Sequence, residues 1–323
     1  MTPDEAVAAL RARFDPSTGR FPGTSPTAAL LFLLDRARDG DDEGRRLALS
    51  ALRRTPGDEW SAIHSRAARG GLGGAPLAPP SSMDEVPSAS AAAAEAAVHV
   101  EAVDVARDDG LEKTARAAVD AALRTFGWSD AGDDSREGTD AHGLMTATLA
   151  RAAVILGAPG YREAASRAGE QALDRRVDPR HGTLLHSAGE GHRPAGISDY
   201  ALLVRGLLEL LEASGERGWL HEAVRLQGEQ EERLWDAREG GYFEFAEGAD
   251  RRSKDGSDGA IVSGNGVAAL NLIDISRLTG KADYRGRAER LLKAFASDVA
   301  KDPLAHLTLL RAAQRLDRPR SPA

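Results

Sequence analysis

Helical periodicity runs through this chain, and the helices it predicts come in two alternating kinds. Residues 140–156 carry two Asp, Glu, Lys or Arg side chains, while 160–176 carry seven. Residues 264–279 carry two, while 281–298 carry eight. A helix that is apolar around most of its circumference is buried on most sides, and one charged along a face lies at a surface. Sorting by charge gives an inner series at 26–39, 88–107, 140–156, 197–214, 264–279 and 302–316. The outer series is 3–13, 41–54, 110–126, 160–176, 218–235 and 281–298, with a helix at 58–69 left over.

The junctions repeat as well. An inner helix ends at small residues and an aromatic opens the outer helix, as in Gly157 to Tyr161, Gly215 to Trp219 and Gly280 to Tyr284. After an outer helix comes Asp, a turn, Gly and apolar residues, as in Asp178 to Gly182 and Asp236 to Gly240. The same signature at Asp15 to Gly19 makes 3–13 an outer helix although it comes first. The last inner helix lacks an outer successor and the first outer helix lacks an inner predecessor. Pairing them closes a ring, whereas an open solenoid needs polar caps at both ends. The expected fold is all-α, an (α/α)6 toroid of six inner and six outer helices with short β-hairpins at one rim. It is expected to be one domain over 1–317, with a Gly/Pro/Ser-rich loop at 70–90 and a flexible tail at 318–323.

Composition removes several function classes. The chain has 323 residues with 42 Lys+Arg against 50 Asp+Glu, a net charge of −8. That balance opposes nucleic-acid binding, which needs a basic footprint. With no cysteine there is no thiolate metal site, Cys nucleophile or redox pair. No apolar run reaches membrane-spanning length, and the first residues lack a signal-peptide pattern. Gly70 to Gly74 follows a helix rather than a strand, and Ser263 to Gly266 lacks a P-loop Lys, so neither is a nucleotide motif. The spacings of His181, His186 and His192 suit no standard zinc pattern. The expectation is a cytoplasmic protein with no cofactor and no metal, which takes a carbohydrate or small polar ligand, or a protein partner.

Three motifs start inner helices: Thr139 to Met145, Ser198 to Leu203, and Ser263 to Val267. In a toroid these helix starts share one rim, so residues distant in sequence converge on a funnel. Helix N-termini offer unpaired N–H groups suited to carboxylate or sugar oxygens. Ser, Thr, Asp and Asn are also ordinary caps, and capping alone accounts for many of them. Asp199 and Asp258 are the candidate acid/base carboxylates if they face each other across the funnel. His142 is the candidate neutral-pH base. Asp140, Tyr200, Lys254, Asp255, Ser263 and Asn265 are the candidate ligand-binding residues, and Tyr242 and Phe243 can offer aromatic faces to a sugar.

From about Ala117 to Ala313 the sequence resembles the YyaL-type family, relatives of spermatogenesis-associated protein 20. The resemblance rests on Thr139 to Met145, Ser198 to Leu203, Leu234-Trp-Asp236 with Gly240 to Phe243, Lys254-Asp255, Asp258 to Ala260 and Ser263 to Gly266. It implies a fold similar to six-hairpin glycosidases and N-acylglucosamine 2-epimerases, and a carbohydrate connection. The family usually carries a thioredoxin-like domain in front, and its first-half rim is rich in His and aromatic motifs that 55–110 does not reproduce. Ala141-His142 stands where the family has Trp-Asn, and Gly266 where it has Ser. Two functions follow as expectations: a toroid that binds, isomerises or hydrolyses a sugar, or a non-catalytic scaffold descended from one.

Overall fold

The computed structural model describes residues 2–54, 88–127, 137–187, 193–246 and 253–318. The expected helix at 58–69 and most of the loop at 70–90 lie outside these residues, as does nearly all of the expected tail. The described helices are α1 (Pro3–Arg13), α2 (Pro26–Arg38), α3 (Asp42–Arg54), α4 (Ala89–Ala106), α5 (Asp109–Phe126) and α6 (Thr139–Ile155). They continue with α7 (Pro159–Arg175), α8 (Ile197–Ser214), α9 (Arg217–Leu234), α10 (Gly264–Thr279), α11 (Ala282–Ala294), α12 (Ala296–Lys301) and α13 (Leu307–Asp317).

The low-charge helices form the inner ring. In chain order α2, α4, α6, α8, α10 and α13 each pack on the next, and α13 returns to α2. Five outer helices lie against their own inner partners, α3 on α2, α5 on α4, α7 on α6, α9 on α8 and α11 on α10, while α1 lies against α3 and the 3-10 turn at Pro303–Ala305 just before α13. The seam where the ring closes is polar as well as apolar. Arg311 donates from Nε to Asp35 at 2.7 Å, and Arg318 donates to Asp39 at 2.6 Å. Beneath it, Leu10, Phe32, Leu33, Leu304 and Leu307 pack in one cluster drawn from both ends of the chain. The (α/α)6 architecture follows the sorting of helices by charge, because burial of an almost wholly apolar helix requires neighbours on nearly all sides.

The repeated junctions have repeated geometry. Gly157, Gly215 and Gly280 all adopt positive φ, at 60°, 74° and 73°, where the chain leaves an inner helix. The aromatics that follow, Tyr161, Trp219 and Tyr284, pack onto the main core. The Asp-to-Gly signature also folds the same way three times. Asp15, Asp178 and Asp236 each accept from the backbone N–H two residues on, at 2.9, 2.7 and 2.9 Å. Gly19, Gly182 and Gly240 then donate back to the Asp carbonyl at 2.8, 2.7 and 2.9 Å. An Asp side chain that mimics a turn and a Gly that tolerates a left-handed backbone explain the pattern.

Three expectations need correction. No β-strand forms among the described residues; the expected hairpins reduce to single bridges at Asp15–Arg20, Val177–Leu184, Leu185–Pro194 and Trp235–Tyr242. Each Asp turn closes, but its first arm has only just left a helix, at Arg13, Arg175 or Leu234, and offers no further residues for a ladder. The helix expected at 281–298 is broken at Phe295, which is buried and separates α11 from α12. The last inner helix begins at Leu307, after a 3-10 turn at Pro303–Ala305.

The closest approach in the ring is between α6 and α8. A Cβ added at Gly143 would lie 2.4 Å from the Leu202 carbonyl carbon and the Leu203 nitrogen. One added at Gly206 would lie 2.8 Å from the Gly143 carbonyl oxygen. The two backbones therefore touch, and only glycine permits it. Gly160 and Gly218, on outer helices, have nothing within 4 Å of such a Cβ. Gly143→Ala and Gly206→Ala should each lower stability by about 1–3 kcal/mol through overpacking. Gly218→Ala should raise it by about 0.5–1 kcal/mol through helix propensity. Urea denaturation of the three variants checks the contrast.

Candidate functional site

The touching backbones of α6 and α8 bring two inner-helix starts together. The Asp140 N–H donates to Asp199 Oδ1 at 3.0 Å, across 59 residues of sequence. Asp199 Oδ2 accepts from the Gly196 N–H at 2.8 Å, as the acidic half of a capping box on α8. The segment after α7 supplies the third member, since His186 Nδ1 lies 2.9 Å from Asp199 Oδ1. That segment is held by α6 and α7. Thr139 donates to the His186 carbonyl from its N–H at 2.8 Å and to the Leu185 carbonyl from its hydroxyl at 2.6 Å. Arg176, wholly buried, donates to the His186 carbonyl at 3.3 Å. Gly138 completes the arrangement, because a Cβ there would strike Asp140 Oδ1 at 2.3 Å and His186 Cε1 at 2.4 Å.

Asp140, His186 and Asp199 form one wall of a cleft of about 600 Å³. Arg193, Ser198, Glu244 and Phe245 line the rest together with the backbone around Gly196. The electrostatics are mutual. The Asp199 carboxylate raises the His186 imidazole above its ordinary 6.5 through their hydrogen bond. Burial, then the neighbouring Asp199 charge, raises the Asp140 carboxyl. The trio has two chemical capacities. It can move protons, or it can hold a divalent cation, because each residue offers one ligand atom and the three atoms lie within 4.8 Å of one another. It is the one such group among the described residues.

Of the residues singled out from the sequence, Asp199 and Asp140 lie in this cleft and the others do not line it. Asp258 does not face Asp199 across a funnel. It is wholly buried, accepting from the Ser263 N–H and Thr308 N–H, both at 2.9 Å, and from the Thr308 hydroxyl at 2.5 Å. It ties the start of α10 to the start of α13, and burial raises its carboxyl. His142 is buried inside α6, edge-on to Phe126 with ring centroids 5.6 Å apart. Tyr200 is buried and donates its hydroxyl to Glu229 at 2.5 Å. Lys254 clamps the Asp236 turn, with Nζ 2.7 Å from Asp236 and 3.0 Å from Glu239. Asp255 accepts from the Ser257 N–H and hydroxyl at 2.8 and 2.6 Å. Ser263 caps α10 through the Gly266 N–H at 3.2 Å. Asn265 takes the place of a strand partner, accepting from the Tyr242 N–H at 2.8 Å and donating to its carbonyl at 3.0 Å. Tyr242 is therefore core, and the aromatic at the cleft is Phe245.

Sequence reasoning passed over several cleft residues, of which His186 and Phe245 matter most. His186 was one of three histidines judged by spacing to each other, while its partner lies 13 residues on in α8. Its signal was position, directly after the apolar pair that follows the Asp178 turn. Phe245 had none, since an aromatic after Tyr242 and Phe243 reads as more core.

No known protein-family profile matches the chain. Human spermatogenesis-associated protein 20 is 42% identical over 120 residues, which are 36% of this chain and 15% of the human protein. The mouse protein is 44% identical over 119 residues, with the same shares. Among solved structures, the unsaturated glucuronyl hydrolase of Bacillus sp. GL1 superposes with a TM-score of 0.67 at 14% identity, covering 98% of this chain and 96% of its own. A Salegentibacter α-1,6-mannanase gives 0.64 at 13% identity, covering 98% and 100%. A D-mannose isomerase gives 0.63 at 13% identity, covering 91% and 86%. These likenesses establish the six-hairpin toroid fold. Over about a third of its length, the chain is a relative of the spermatogenesis-associated protein 20 family.

Proposed function

We propose that the cleft binds a sugar and that His186, with Asp140, moves protons on it, as isomerisation or epimerisation requires. The observation that carries this reading is the 2.9 Å contact between His186 Nδ1 and Asp199 Oδ1 in a cleft of about 600 Å³. A carboxylate on Nδ1 fixes the imidazole and leaves Nε2 for a substrate, the usual arrangement for a positioned acid or base. The raised His186 suits it to donate a proton, and Asp140 beside it is placed to accept one. Likeness of fold to an isomerase and to two glycoside-acting enzymes supports the sugar as ligand class.

Hydrolysis fits less well. Inverting glycosidases hold their carboxyl groups about 6.5–9.5 Å apart to admit water, and retaining ones about 5–5.5 Å apart so that one of them can attack the sugar. Here ligand oxygens of Asp140 and Asp199 lie within 4.8 Å of each other. Asp199 also accepts from three donors, which leaves it a poor nucleophile. Asp258, the other carboxylate expected to take part, is committed to tying helices.

Binding is tested by thermal shift and calorimetry against aldoses, ketoses and amino sugars. His186→Gln should abolish turnover and weaken binding while the protein stays folded. Asp258→Ala should cost about 3 kcal/mol of stability by stranding buried donors, yet leave the ligand affinity of the folded protein unchanged. Sugar binding that survives intact in His186→Gln, or no binding by the wild type, would overturn the reading and favour a non-catalytic scaffold.

The pH dependence has a definite sign. A histidine raised in the folded state contributes stability that is complete below its unfolded value and is lost as pH climbs through its folded value. The melting-temperature advantage of wild type over His186→Gln should therefore be largest in mild acid and shrink above pH 6.5. An NMR titration of His186 should give a midpoint above 6.5 that falls in Asp199→Asn.

A further inference from the structure

We infer that Phe245 is a stacking platform, and that the cleft takes its sugar as a closed pyranose ring lying on that platform with its edge against His186 and Asp140. This rests on the sugar reading of the same cleft. Three large apolar side chains are conspicuously exposed among the described residues: Val154, Phe245 and Leu278. Phe245 is 55% exposed, is the one aromatic of the three, and is the one in this cleft.

Its position is built rather than incidental. The Ile197 N–H donates to the Glu244 carbonyl at 3.0 Å, which fixes the backbone next to the ring. Gly196 lies under the ring, where an added Cβ would meet Phe245 Cε1 at 2.9 Å and Cδ1 at 3.1 Å. The backbone of Gly196 is in ordinary extended space, with φ −97° and ψ −177°, so turn geometry does not require a glycine there. What requires it is the ring above and the Glu244 carbonyl, 2.7 Å from the same Cβ. The Gly196 N–H is in turn the donor to Asp199 Oδ2. Ring, glycine, carboxylate and imidazole thus form one chain of contacts.

An exposed aromatic face beside Asp140, His186, Arg193 and Ser198 calls for a ligand with one flat apolar face and a polar edge. The C–H face and hydroxyl rim of a pyranose match that description. An open-chain alditol has the same hydroxyls and no flat face, so it gains nothing from the ring.

The test is calorimetric titration of methyl pyranosides (gluco, manno and galacto) and of the matching alditols. The glycosides cannot ring-open, so binding is read without turnover. The proteins are wild type, Phe245→Ala, Phe245→Trp and His186→Gln, each with its melting temperature. A preferred methyl pyranoside should bind at least about tenfold more tightly than its alditol. Phe245→Ala should lose about tenfold in affinity without a change in melting temperature, and Phe245→Trp should retain it with a shift in indole emission at saturation. Equal affinity for pyranoside and alditol would overturn the platform. So would wild-type affinity in Phe245→Ala, or an unmoved indole emission in Phe245→Trp. If His186→Gln still weakens binding in that case, the sugar reading stands and the platform alone falls. No binding of any pyranoside by the wild type overturns the platform, and no binding of any pyranoside or alditol overturns both.

Discussion

The contact on which the cleft depends is one without side chains. Gly143 and Gly206 let α6 and α8 meet backbone to backbone, and any larger residue would force the helices apart. Packing at that separation sets two helix starts so close that an N–H of one reaches a carboxylate of the other. Apolar burial holds the ring together, as Met145, Leu149, Leu203 and Leu207 show by their complete burial. Burial is non-directional, however, and would tolerate a looser crossing. The glycines supply the direction.

Asp199 and Asp258 show how one residue type takes two roles at one kind of position. Each lies near the start of an inner helix and each accepts from three donors. All three donors to Asp258 come from the two helix starts it joins, and the residue is sealed from solvent. One donor to Asp199 is an imidazole at the wall of a cleft. That single difference in partner turns a tie between helices into the support of a titratable group.

Most of the fold was legible in the sequence because burial leaves a periodic trace. Inner and outer helices differ in charge, their junctions repeat, and Asp15, Asp178 and Asp236 announce the same turn three times. The boundary near Phe295 was not legible, because an outer helix keeps its period up to the residue that turns inward. The cleft was legible only in part. Asp140 and Asp199 stand in motifs at helix starts, where their type is informative. Lys254, Asn265 and Tyr200 are equally polar and equally near such starts, yet their partners, Asp236, Tyr242 and Glu229, lie 18, 23 and 29 residues away. Whether a polar side chain is consumed by the scaffold is decided by those partners, and no local pattern reports them.

The inner helices run parallel, and their far ends are as ordered as their starts. There Arg38 pairs with Asp35, Glu101 and Asp104, Arg151 with Glu101, and Arg315 with Asp274. Each inner-helix start presents unpaired N–H groups at the cleft rim, and each far end presents unpaired carbonyls, an effect confined to the first and last turns. At the cleft rim Asp199 answers two such N–H groups directly, while at the far rim the arginines are already matched by carboxylates. A carboxylate added in the first turn of an inner helix would therefore act with the opposite sign from one added in its last turn.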